Sequence, residues 1–327
     1  RGCLVSGMLA SAPGKLVLCG EYAVLDGAPA VCMAVDRRAT VTVTDADGRW
    51  HRVSAPGYAS TEGRFRADGK CIDWLQGKDH YRVVDAVWRS IGPVDEGPLS
   101  IALDTTAFLD GASGKKIGIG SSAALTVALA AALTHSGDVL ESALYAHRLL
   151  QRGAGSGVDV ACSVSGGLVE YRMQGAAVLS LGWPAGLAYR VIWTGVPAST
   201  RMKLDKLEKS GRRTSRCALF DAAEDMANAW RSAATVMGQF PAYIEVLRNF
   251  SVDHDLGIFD AGHDRLVTEA AAAGLVYKPC GAGGGDVGIL LGDSDEQLDD
   301  FMTGRQASGR RVLGCELEPD GVLLERC

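Results

Sequence analysis

Lys15 is the first residue of this sequence whose type and position could do chemistry. It follows Gly14 and precedes a short apolar run at 16–19, and Glu21 and Tyr22 come shortly afterwards. A lysine at the mouth of a buried strand can face an anionic substrate and offset charge that develops on it. The same pattern is typical of an ordinary surface lysine at the start of a strand, so this segment alone leaves both interpretations open.

A second glycine-rich segment has the features of an anion-binding loop. Gly118 and Gly120 allow tight backbone turns, and the apolar residues at 122–134 predict a helix directly after them. The free N–H groups and the dipole of a helix N-terminus attract phosphate groups. We expect Ser121 and Ser122 to cap this helix, and a serine hydroxyl there could also bind Mg²⁺. A helix that is merely capped after a flexible loop is the structural alternative.

A third glycine-rich segment covers residues 278–289. Four of the five residues at 281–285 are glycine, and an apolar run follows them. Such a segment lets the backbone approach a ligand very closely, and a structural turn rarely needs so many glycines. Between the second and third segments lies Asp159, shortly after Gly155 and Gly157. Its carboxylate could cap a helix, or it could act as a buried base beside a substrate hydroxyl.

Two other nucleotide-binding patterns fit the second segment poorly. Neither Lys15 nor Lys115, each preceded by glycine, is followed by Ser or Thr as a Walker A loop requires. Residues 118–123 match a loose dinucleotide-binding pattern, but glycine and lysine stand where a buried strand should precede it. Glu141, at the expected distance for the acidic residue of that pattern, begins a helical pattern instead of ending a second strand. The dinucleotide interpretation is therefore weak.

The charge balance and the cysteines restrict the class of protein. The 327 residues include 33 basic and 39 acidic side chains, a formal net charge of −6, which predicts neither a nucleic-acid nor a membrane partner. An anionic substrate would therefore need local positive charge. The nine cysteines are scattered without metal-binding spacing and predict reduced thiols. We find no pattern of a signal peptide or a membrane span and expect a cytoplasmic protein, monomeric or homodimeric.

The hydrophobic patterns predict an α+β fold in both halves of the chain. Strands are expected at 16–19, 30–35, 98–103, 167–172, 187–193, 287–291, 311–317 and 321–325. Helices are expected at 83–91, 122–134, 139–152 and 295–302, with several more between 199 and 273. The loop-like composition at 183–186 predicts a domain boundary that divides the chain into residues 1–183 and 184–327.

Two local signals add detail to the first half. Asp47 and Gly48 have the sequence of a hairpin turn, here between strands at 40–44 and 50–53. Asp79 is a plausible N-cap for the helix predicted at 83–91.

Taken together and in this order, the segments resemble the signature motifs of the GHMP kinases, the family of galactokinase and of homoserine, mevalonate and phosphomevalonate kinases. Residues 11–22 resemble the N-terminal substrate motif, and residues 116–124 resemble the phosphate loop, with Ile119 in place of the commoner leucine. Residues 155–159 resemble the segment with the catalytic aspartate, and residues 278–289 the C-terminal glycine motif. The resemblance implies an N-terminal domain like domain 2 of ribosomal protein S5 and a ferredoxin-like C-terminal domain.

The resemblance also implies an enzyme that transfers a phosphoryl group from ATP, with Mg²⁺, to a small anionic acceptor. Lys15 and Asp159 would be its catalytic residues. The residues implied at the ATP site are Lys116, Gly118, Gly120, Ser121, Ser122, Ala123, Gly283 and Gly284, and the two serines would also bind Mg²⁺. The residues implied at the acceptor site are Glu21, Tyr22, Ser156, Ser199, Thr200, Lys203, Gly281 and Ala282.

Four features favour the phosphomevalonate kinases within this family, and one of them is the run at 149–153, which is similar to the corresponding segment of those enzymes. Asp286 stands where mevalonate kinases usually have glycine. Arg148, beside His147, occupies the place of a magnesium-binding glutamate of mevalonate kinases, so serine or water would complete the Mg²⁺ shell. The run at 193–203 resembles a substrate-facing loop of bacterial phosphomevalonate kinases, and it is equally compatible with a strand that ends in a helix cap.

The expected acceptor is a small phosphorylated hydroxy acid, with 5-phosphomevalonate, converted to 5-diphosphomevalonate, as the first candidate. Mevalonate or another small acid on the same scaffold, and the related decarboxylase, are alternative enzymes. A ligand sensor with the GHMP fold but without catalysis is an alternative of another class, and the presence of Lys15, Asp159 and both loop serines disfavours it. Residues 54–80 are expected to contribute to the adenine pocket.

Overall fold

The computed structural model of the protein describes residues 7–92, 97–211, 214–303 and 310–326. Within these residues the strands form one sheet of nine strands and one of four. The larger sheet contains β1 (Met8–Cys19), β2 (Ala30–Asp45), β3 (His51–Ala55), β4 (Ala59–Asp68), β5 (Cys71–Gln76), β6 (Leu99–Asp104), β7 (Leu168–Arg172), β8 (Ala177–Leu181) and β13 (Leu323–Arg326). The smaller sheet contains β9 (Ala188–Trp193), β10 (Val276–Pro279), β11 (Val287–Gly292) and β12 (Arg311–Leu313). The helices are α1 (Arg82–Ile91), α2 (Ser121–Thr134), α3 (Leu140–Leu150), α4 (Val158–Ser165), α5 (Thr200–Ser210), α6 (Thr214–Ala229), α7 (Ala233–Asp253), α8 (His263–Ala272) and α9 (Asp295–Met302).

The antiparallel pair of β1 and β2 lies within the larger sheet, whose main order is β13-β1-β2-β6-β3-β4-β5. The register of this pair runs from Met8 opposite Val43 to Cys19 opposite Val31. Helix α2 packs on both strands, and ten of its 14 residues are buried, because alanine and other apolar residues cover every face of it. The packing therefore holds the N-terminus of α2 in a fixed place, where the predicted phosphate loop enters the helix.

The smaller sheet has the strand and helix succession β-α-β-β-α-β, with helices α5 to α8 in the first crossover and α9 in the second. Its order is β10-β11-β9-β12, and all of its strand pairs are antiparallel. This succession and order are those of a ferredoxin-like fold. The predicted architecture of the C-terminal half is therefore confirmed.

The two sheets are joined by the chain and by a shared core. The chain leaves the larger sheet after β8 and enters the smaller one at β9, close to the predicted boundary. It returns at the end, since β13 pairs with β1 and Leu317 bridges to Val35. One hydrophobic cluster contains Leu16 of β1, Phe240 of α7 and Ile289 of β11. The division after residue 183 stays a prediction, and the last strand belongs to the first sheet.

Two local predictions are wrong. Strand β6 lies between β2 and β3, so the turn at Asp47 and Gly48 connects strands that are not paired, and β3 forms its antiparallel pair with β4. Helix α1 begins after Tyr81, without a side-chain cap, so Asp79 is not its N-cap. In the described ranges we find no helix with the length and apolar character needed to cross a bilayer.

Candidate active site

Lys15 lies on β1 where this strand passes the predicted phosphate loop. Its backbone N–H donates a hydrogen bond to the Ile119 carbonyl oxygen at 2.8 Å. The pairing of β1 with β2 changes register between Pro13 and Gly14, and such irregularities re-aim side chains next to active sites. A Cβ atom on Gly120 would lie 3.0 Å from Lys15 Cε. The Lys15 side chain therefore runs along the loop, and glycine at position 120 leaves the room for it.

The predicted phosphate loop ends in a glycine cap. Gly118 and Gly120 have φ angles of +91° and +89°, a region that residues with a side chain rarely adopt. Gly120 is the N-cap of α2 and no side chain caps this helix, so the prediction that Ser121 and Ser122 cap it is wrong. Within the described residues neither serine hydroxyl makes a hydrogen bond. Both hydroxyls and the first N–H groups of α2 are therefore available to a ligand.

One pocket collects the two predicted catalytic residues and most of the predicted acceptor residues. Its walls include Lys15 from β1, Asp159 from α4 and Thr200 from α5. The other predicted residues that line it are Glu21, Tyr22, Ser156, Gly281 and Ala282. Segments that are far apart in the sequence, from both halves of the chain, thus converge on a single cavity.

Asp159 is the second residue of α4, after the left-handed N-cap Gly157 and Val158. Its Oδ1 accepts a hydrogen bond from the Val160 N–H at 3.0 Å, and the dipole of α4 favours the charged carboxylate at this end. The same oxygen lies 3.7 Å from Nδ1 of His147, whose side chain is 3% exposed. His147 Nε2 is buried without a hydrogen-bond partner among the described residues. Asp159 is thus anchored at a helix start and also lines the pocket beside a buried histidine.

Asp286 joins the glycine segment to the loop that precedes α5. Its N–H donates to the Val196 carbonyl oxygen at 2.7 Å, and its Oδ1 accepts from the Ala198 N–H at 3.0 Å. The Thr194 N–H donates to the Asp286 carbonyl oxygen at 2.9 Å. Asp286 has a φ of +54°, which is unfavourable for a residue with a side chain and persists only where the surroundings impose it. These hydrogen bonds impose it here.

The Asp286 side chain also packs against the phosphate loop, because a Cβ atom on Gly118 would overlap it. Burial raises the pKa of the Asp286 carboxyl, and the hydrogen bond from Ala198 and the charges of Lys15 and Lys203 act in the opposite direction. An acidic group therefore lies among two cations and the loop that is expected to hold phosphates.

Lys203 is a half-buried cation on α5. Its Nζ donates to the Gly257 carbonyl oxygen at 3.2 Å, and burial lowers its pKa to about 8. A Cβ atom on Gly284 would overlap this ammonium group, and one on Gly283 would lie 2.5 Å from a side-chain carbon of Ile258. Gly283 and Gly284 therefore allow other parts of the protein, and not a ligand, to approach the backbone closely.

Glu21 lines the pocket, but the protein itself already binds its carboxylate. Glu21 forms an ion pair with Lys278 Nζ, and the two side chains are 3% and 0% exposed. Its Oε2 also accepts a hydrogen bond from the Tyr243 hydroxyl at 2.9 Å. The Tyr22 hydroxyl donates to the Ala282 carbonyl oxygen at 2.7 Å. Both predicted acceptor residues thus use their polar atoms to tie the segment after β1 to the C-terminal half.

A second pocket adjoins the N-terminus of α2. It is lined by Lys116, Ser121 and Ser122 and by several residues at 55–83. Among the latter is Tyr58, which is 58% exposed, with Lys116 Nζ 5.7 Å from the centre of its ring. The region that we expected to contribute to an adenine pocket therefore lies beside the phosphate loop.

Similarity to known proteins agrees with this geometry. Residues 80–167 match the family model of the GHMP kinases N terminal domain. The chain is 31% identical to a phosphomevalonate kinase of Streptomyces sp. (strain CL190), over 94% of this chain and 96% of that protein. The chain belongs to the GHMP kinase family.

Further relatives of this GHMP kinase include a mevalonate kinase of Methanothermobacter thermautotrophicus, which is 37% identical over 50% of each protein. The solved structure of Streptococcus pneumoniae phosphomevalonate kinase in complex with phosphomevalonate and AMPPNP superimposes with a TM-score of 0.76 at 18% identity. The superposition covers 98% of this chain and 99% of the Streptococcus pneumoniae chain. At this identity the likeness shows the fold, and the predicted two-domain GHMP kinase fold is confirmed.

Some predicted site residues of this GHMP kinase lie apart from the two pockets. Ser199 is the N-cap of α5, and its Oγ accepts a hydrogen bond from the Met202 N–H at 3.4 Å. Ala123 is fully buried within α2, so only its backbone can reach a ligand. Gly283 and Gly284 pack against Ile258 and Lys203, as described above. These residues line neither of the two pockets in the described part of the chain, and Ser199, Gly283 and Gly284 make packing or capping contacts instead.

The donor set of this GHMP kinase fits a magnesium ion that arrives with a nucleotide. The described part of the chain contains no group of three or more His, Cys, Asp or Glu side chains that could hold a metal ion. Mg²⁺ commonly binds through few protein ligands, with water and substrate phosphates completing its shell. The hydroxyls of Ser121 and Ser122, which make no hydrogen bond within the described residues, are suited to that role.

Three residues at the site were not among the predicted site residues: His147, Lys278 and Asp286. Only Asp286 has a signal in the sequence, as a charged residue that ends a glycine run. His147 and Lys278 are buried by tertiary packing, and their partners Asp159 and Glu21 lie in other elements. Spacing along the chain does not reveal such pairs.

Proposed function

We propose that this GHMP kinase transfers a phosphoryl group from ATP to a small phosphorylated hydroxy acid, with 5-phosphomevalonate as the first candidate and 5-diphosphomevalonate as its product. The observation that carries the proposal is the meeting of Lys15 and Asp159 in one pocket beside the glycine cap of α2. Phosphoryl transfer depends on positioning and on electrostatic stabilisation of the transferring group. A cation, a carboxylate and a helix N-terminus supply both.

ATP is expected to place its phosphates over residues 118–122 and its adenine in the second pocket. The unpaired N–H groups of the first turn of α2 suit phosphate oxygens, and the exposed ring of Tyr58 offers a stacking face. Lys116, next to that ring, adds positive charge near the nucleotide. Mg²⁺, when bound with the nucleotide, would neutralise charge on the β- and γ-phosphates, with the hydroxyls of Ser121 and Ser122 as protein ligands.

Lys15 and Asp159 act on the reacting atoms in this proposal. The Lys15 ammonium group lies between the attacking oxygen and the transferring phosphoryl group, where it offsets the charge that grows in the transition state. A phosphate acceptor is already ionised near neutral pH, so Asp159 has little need to remove a proton from it. Asp159 then orients the attacking group through its fixed position at the start of α4. A hydroxyl acceptor would instead require it as a general base.

The acceptor's own phosphate is expected at the N-terminus of α5. Thr200 is the first residue of this helix and lines the pocket, and Ser199 is its N-cap. A helix N-terminus binds anions through its free N–H groups and its dipole. Lys203, one turn further along α5, supplies a nearby positive charge. These features favour an acceptor that carries a phosphate.

The relatives support two candidate acceptors to different extents. The Streptomyces phosphomevalonate kinase matches nearly the whole chain, including both halves of the pocket. The Methanothermobacter mevalonate kinase matches half of the chain, and other mevalonate kinases match 93–97% of it at a lower identity of 23–27%. Phosphorylation of mevalonate is therefore the second candidate function, on the same catalytic residues.

A coupled assay of ADP release against a panel of mevalonate-pathway acids tests the proposal. The value of kcat/KM with 5-phosphomevalonate is expected to exceed that with mevalonate by at least about 100-fold, because a site built for a charged group discriminates strongly against a substrate that lacks it. A preference for mevalonate would establish the second candidate instead. Release of carbon dioxide would indicate the decarboxylase, and binding of nucleotide without ADP release would indicate a sensor.

Binding of the acceptor is expected to weaken as the pH rises through 8. Lys203 has a pKa of about 8, so it is largely charged at pH 7 and largely neutral at pH 9, while the acceptor phosphate keeps its charge. The KM for 5-phosphomevalonate should increase by about tenfold over this range, as expected for losing one charge-assisted hydrogen bond. The KM for ATP should stay constant. The Lys203→Arg variant keeps its charge and should show a flat profile, and a flat profile in the wild-type enzyme would contradict the role of Lys203.

A further inference from the structure

The acceptor in the proposed function has an anionic group at each end, and the site described so far supplies cations for only one of them. Lys15 lines the pocket where the reacting phosphate is expected, and Lys203 lies one turn along α5 from Thr200, which also lines it. The carboxylate at the other end needs its own partner, because the net charge of −6 gives no general attraction for anions. Glu21, predicted to contact that side of the acceptor, is itself a carboxylate and is paired with Lys278.

A groove lined by two arginines adjoins the acceptor pocket. Leu25, Gly155 and Leu204 line both the pocket and the groove, so the two adjoin there. Arg148 and Arg152 line the groove from the end of α3. Within the described residues neither guanidinium group makes a hydrogen bond or an ion pair.

The remaining charged groups of the groove form no ion pair with these two arginines in the described part of the chain. Arg216 also lines it, but its guanidinium is bound by the Asp26 carboxylate at 2.7 and 2.9 Å. Asp205 and Glu208 face the groove from α5. In the described part of the chain neither carboxylate lies within the 4.0 Å of an ion pair with Arg148 or Arg152. Two cations without an ion-pair partner in the described part of the chain therefore line the groove that adjoins the acceptor pocket.

The backbone at the end of α3 is locally unfavourable for arginine. The Gly153 N–H donates to the Arg148 carbonyl oxygen at 2.9 Å, and the Arg152 N–H donates to that of Leu149 at 3.1 Å. This is the bonding of a Schellman motif, in which the left-handed position is usually glycine. Here that position is Arg152, with a φ of +56°. Arg148 and Arg152 are also like charges four residues apart. Departures from local preference of this kind occur where a residue serves a function.

The positive charge of Arg148 reaches the wall of the acceptor pocket. Burial raises the pKa of the Tyr171 hydroxyl, and the charge of Arg148 opposes this shift. The same hydroxyl donates a hydrogen bond to the carbonyl oxygen of Ser156 at 2.9 Å, and Ser156 lines the pocket. Gln151, between the two arginines in the sequence, lines the pocket as well.

We propose that Arg148 and Arg152 form the subsite for the carboxylate of the acceptor, in the groove that adjoins the pocket of Lys15 and Asp159. This inference rests on the proposed function. Guanidinium groups match the planar geometry of a carboxylate and can bind it through paired hydrogen bonds. In this arrangement the carboxylate anchors the acceptor while its phosphate faces Lys15 and Asp159.

Two acceptors that differ only in the carboxylate test the subsite: 5-phosphomevalonate and the analogue in which a hydroxymethyl group replaces the carboxylate. Arg148→Gln and Arg152→Gly should each raise the KM for the acid by at least about tenfold, and leave the KM for the analogue and for ATP unchanged. Glycine suits the left-handed position, so Arg152→Gly should melt no lower than the wild-type protein. Its loss of affinity would then not come from a loss of folding.

Arg231→Gln is the matched control, since Arg231 is an exposed arginine outside the groove, and both KM values should stay at those of the wild type. Unchanged KM for the acid in both groove variants, with normal turnover by the wild-type enzyme, overturns the subsite alone. An equal rise in KM for the acid and the analogue also overturns it, because the effect would not depend on the carboxylate. If the wild-type enzyme releases no ADP with any acceptor, the proposed function fails, and the subsite with it.

Discussion

Replacing Lys15 with methionine is expected to lower kcat by at least about 10³-fold, because its ammonium group offsets the charge that grows on the transferring phosphoryl group. Methionine is close to lysine in length and can keep the apolar stem packed along Gly120. The backbone bond from position 15 to Ile119 does not depend on the side chain. The phosphate loop should therefore keep its shape, and the dissociation constant of ATP should change by less than about threefold.

Asp159→Asn should cause a comparable loss of turnover. The asparagine side-chain oxygen can still accept the hydrogen bond from the Val160 N–H, so the start of α4 is preserved while the charge is removed. Lys70→Met serves as a matched control, because Lys70 is exposed on the turn between β4 and β5. Turnover comes from coupled ADP release, and ATP affinity comes from titration calorimetry. Near wild-type turnover in either the Lys15 or the Asp159 variant would show that the catalytic roles lie elsewhere.

Much of the site could be predicted because its segments are local in sequence. The tight turns at Gly118 and Gly120 and the apolar helix after them are properties of short stretches, and the structure shows both. The order of the glycine-rich segments then indicated the family, and the family indicated which side chains should meet. Eight of the predicted residues do line one pocket, from Lys15 on β1 to Ala282 after β10.

Other features could not be predicted because they depend on contacts between distant residues. The place of β6 between β2 and β3 reflects the packing of a whole sheet, whereas the hairpin signal at Asp47 and Gly48 describes only one turn. Gly120 caps α2 in place of the serines, because its left-handed backbone directs the loop past Lys15. Propensities describe what a segment favours in isolation, and tertiary packing decided against them at these positions.

The role of Glu21 shows the same limit at the site itself. The family resemblance implies a contact between Glu21 and the acceptor, but the partners of Glu21, Lys278 and Tyr243, lie 257 and 222 residues away in the sequence. Those partners convert an apparent pocket carboxylate into part of a buried network between the two halves. Tyr243 extends the network, since its hydroxyl accepts a hydrogen bond from the Gly20 N–H at 2.8 Å.

Lys278→Met is expected to destabilise the protein by about 3–5 kcal/mol, because it leaves the Glu21 carboxylate buried without its counter-charge. The surroundings offer no replacement cation of comparable proximity among the described contacts of Glu21. Burial and, to a smaller extent, the Glu21 charge raise the pKa of the neighbouring Cys19 thiol to about 12, so this thiol stays neutral. The expected loss of about 3–5 kcal/mol in Lys278→Met is a large fraction of the free energy of unfolding of a typical domain. Urea unfolding followed by circular dichroism measures it.

The double variant Glu21→Gln with Lys278→Met should recover most of that loss. Removing both charges also removes their desolvation, and glutamine can still accept the hydrogen bond from the Tyr243 hydroxyl, so its stability should return to within about 1–2 kcal/mol of the wild type. Lys206→Met is the control, because it removes an exposed lysine whose ion pair with Asp255 lies at the surface. This variant should change the free energy of unfolding by less than about 1 kcal/mol. If the double variant were as unstable as Lys278→Met alone, the loss would come from the shape of Lys278 and not from an unpaired charge. Recovery of stability, by contrast, would show that the loss comes from the unpaired Glu21 charge and that the intact pair contributes little net free energy of folding.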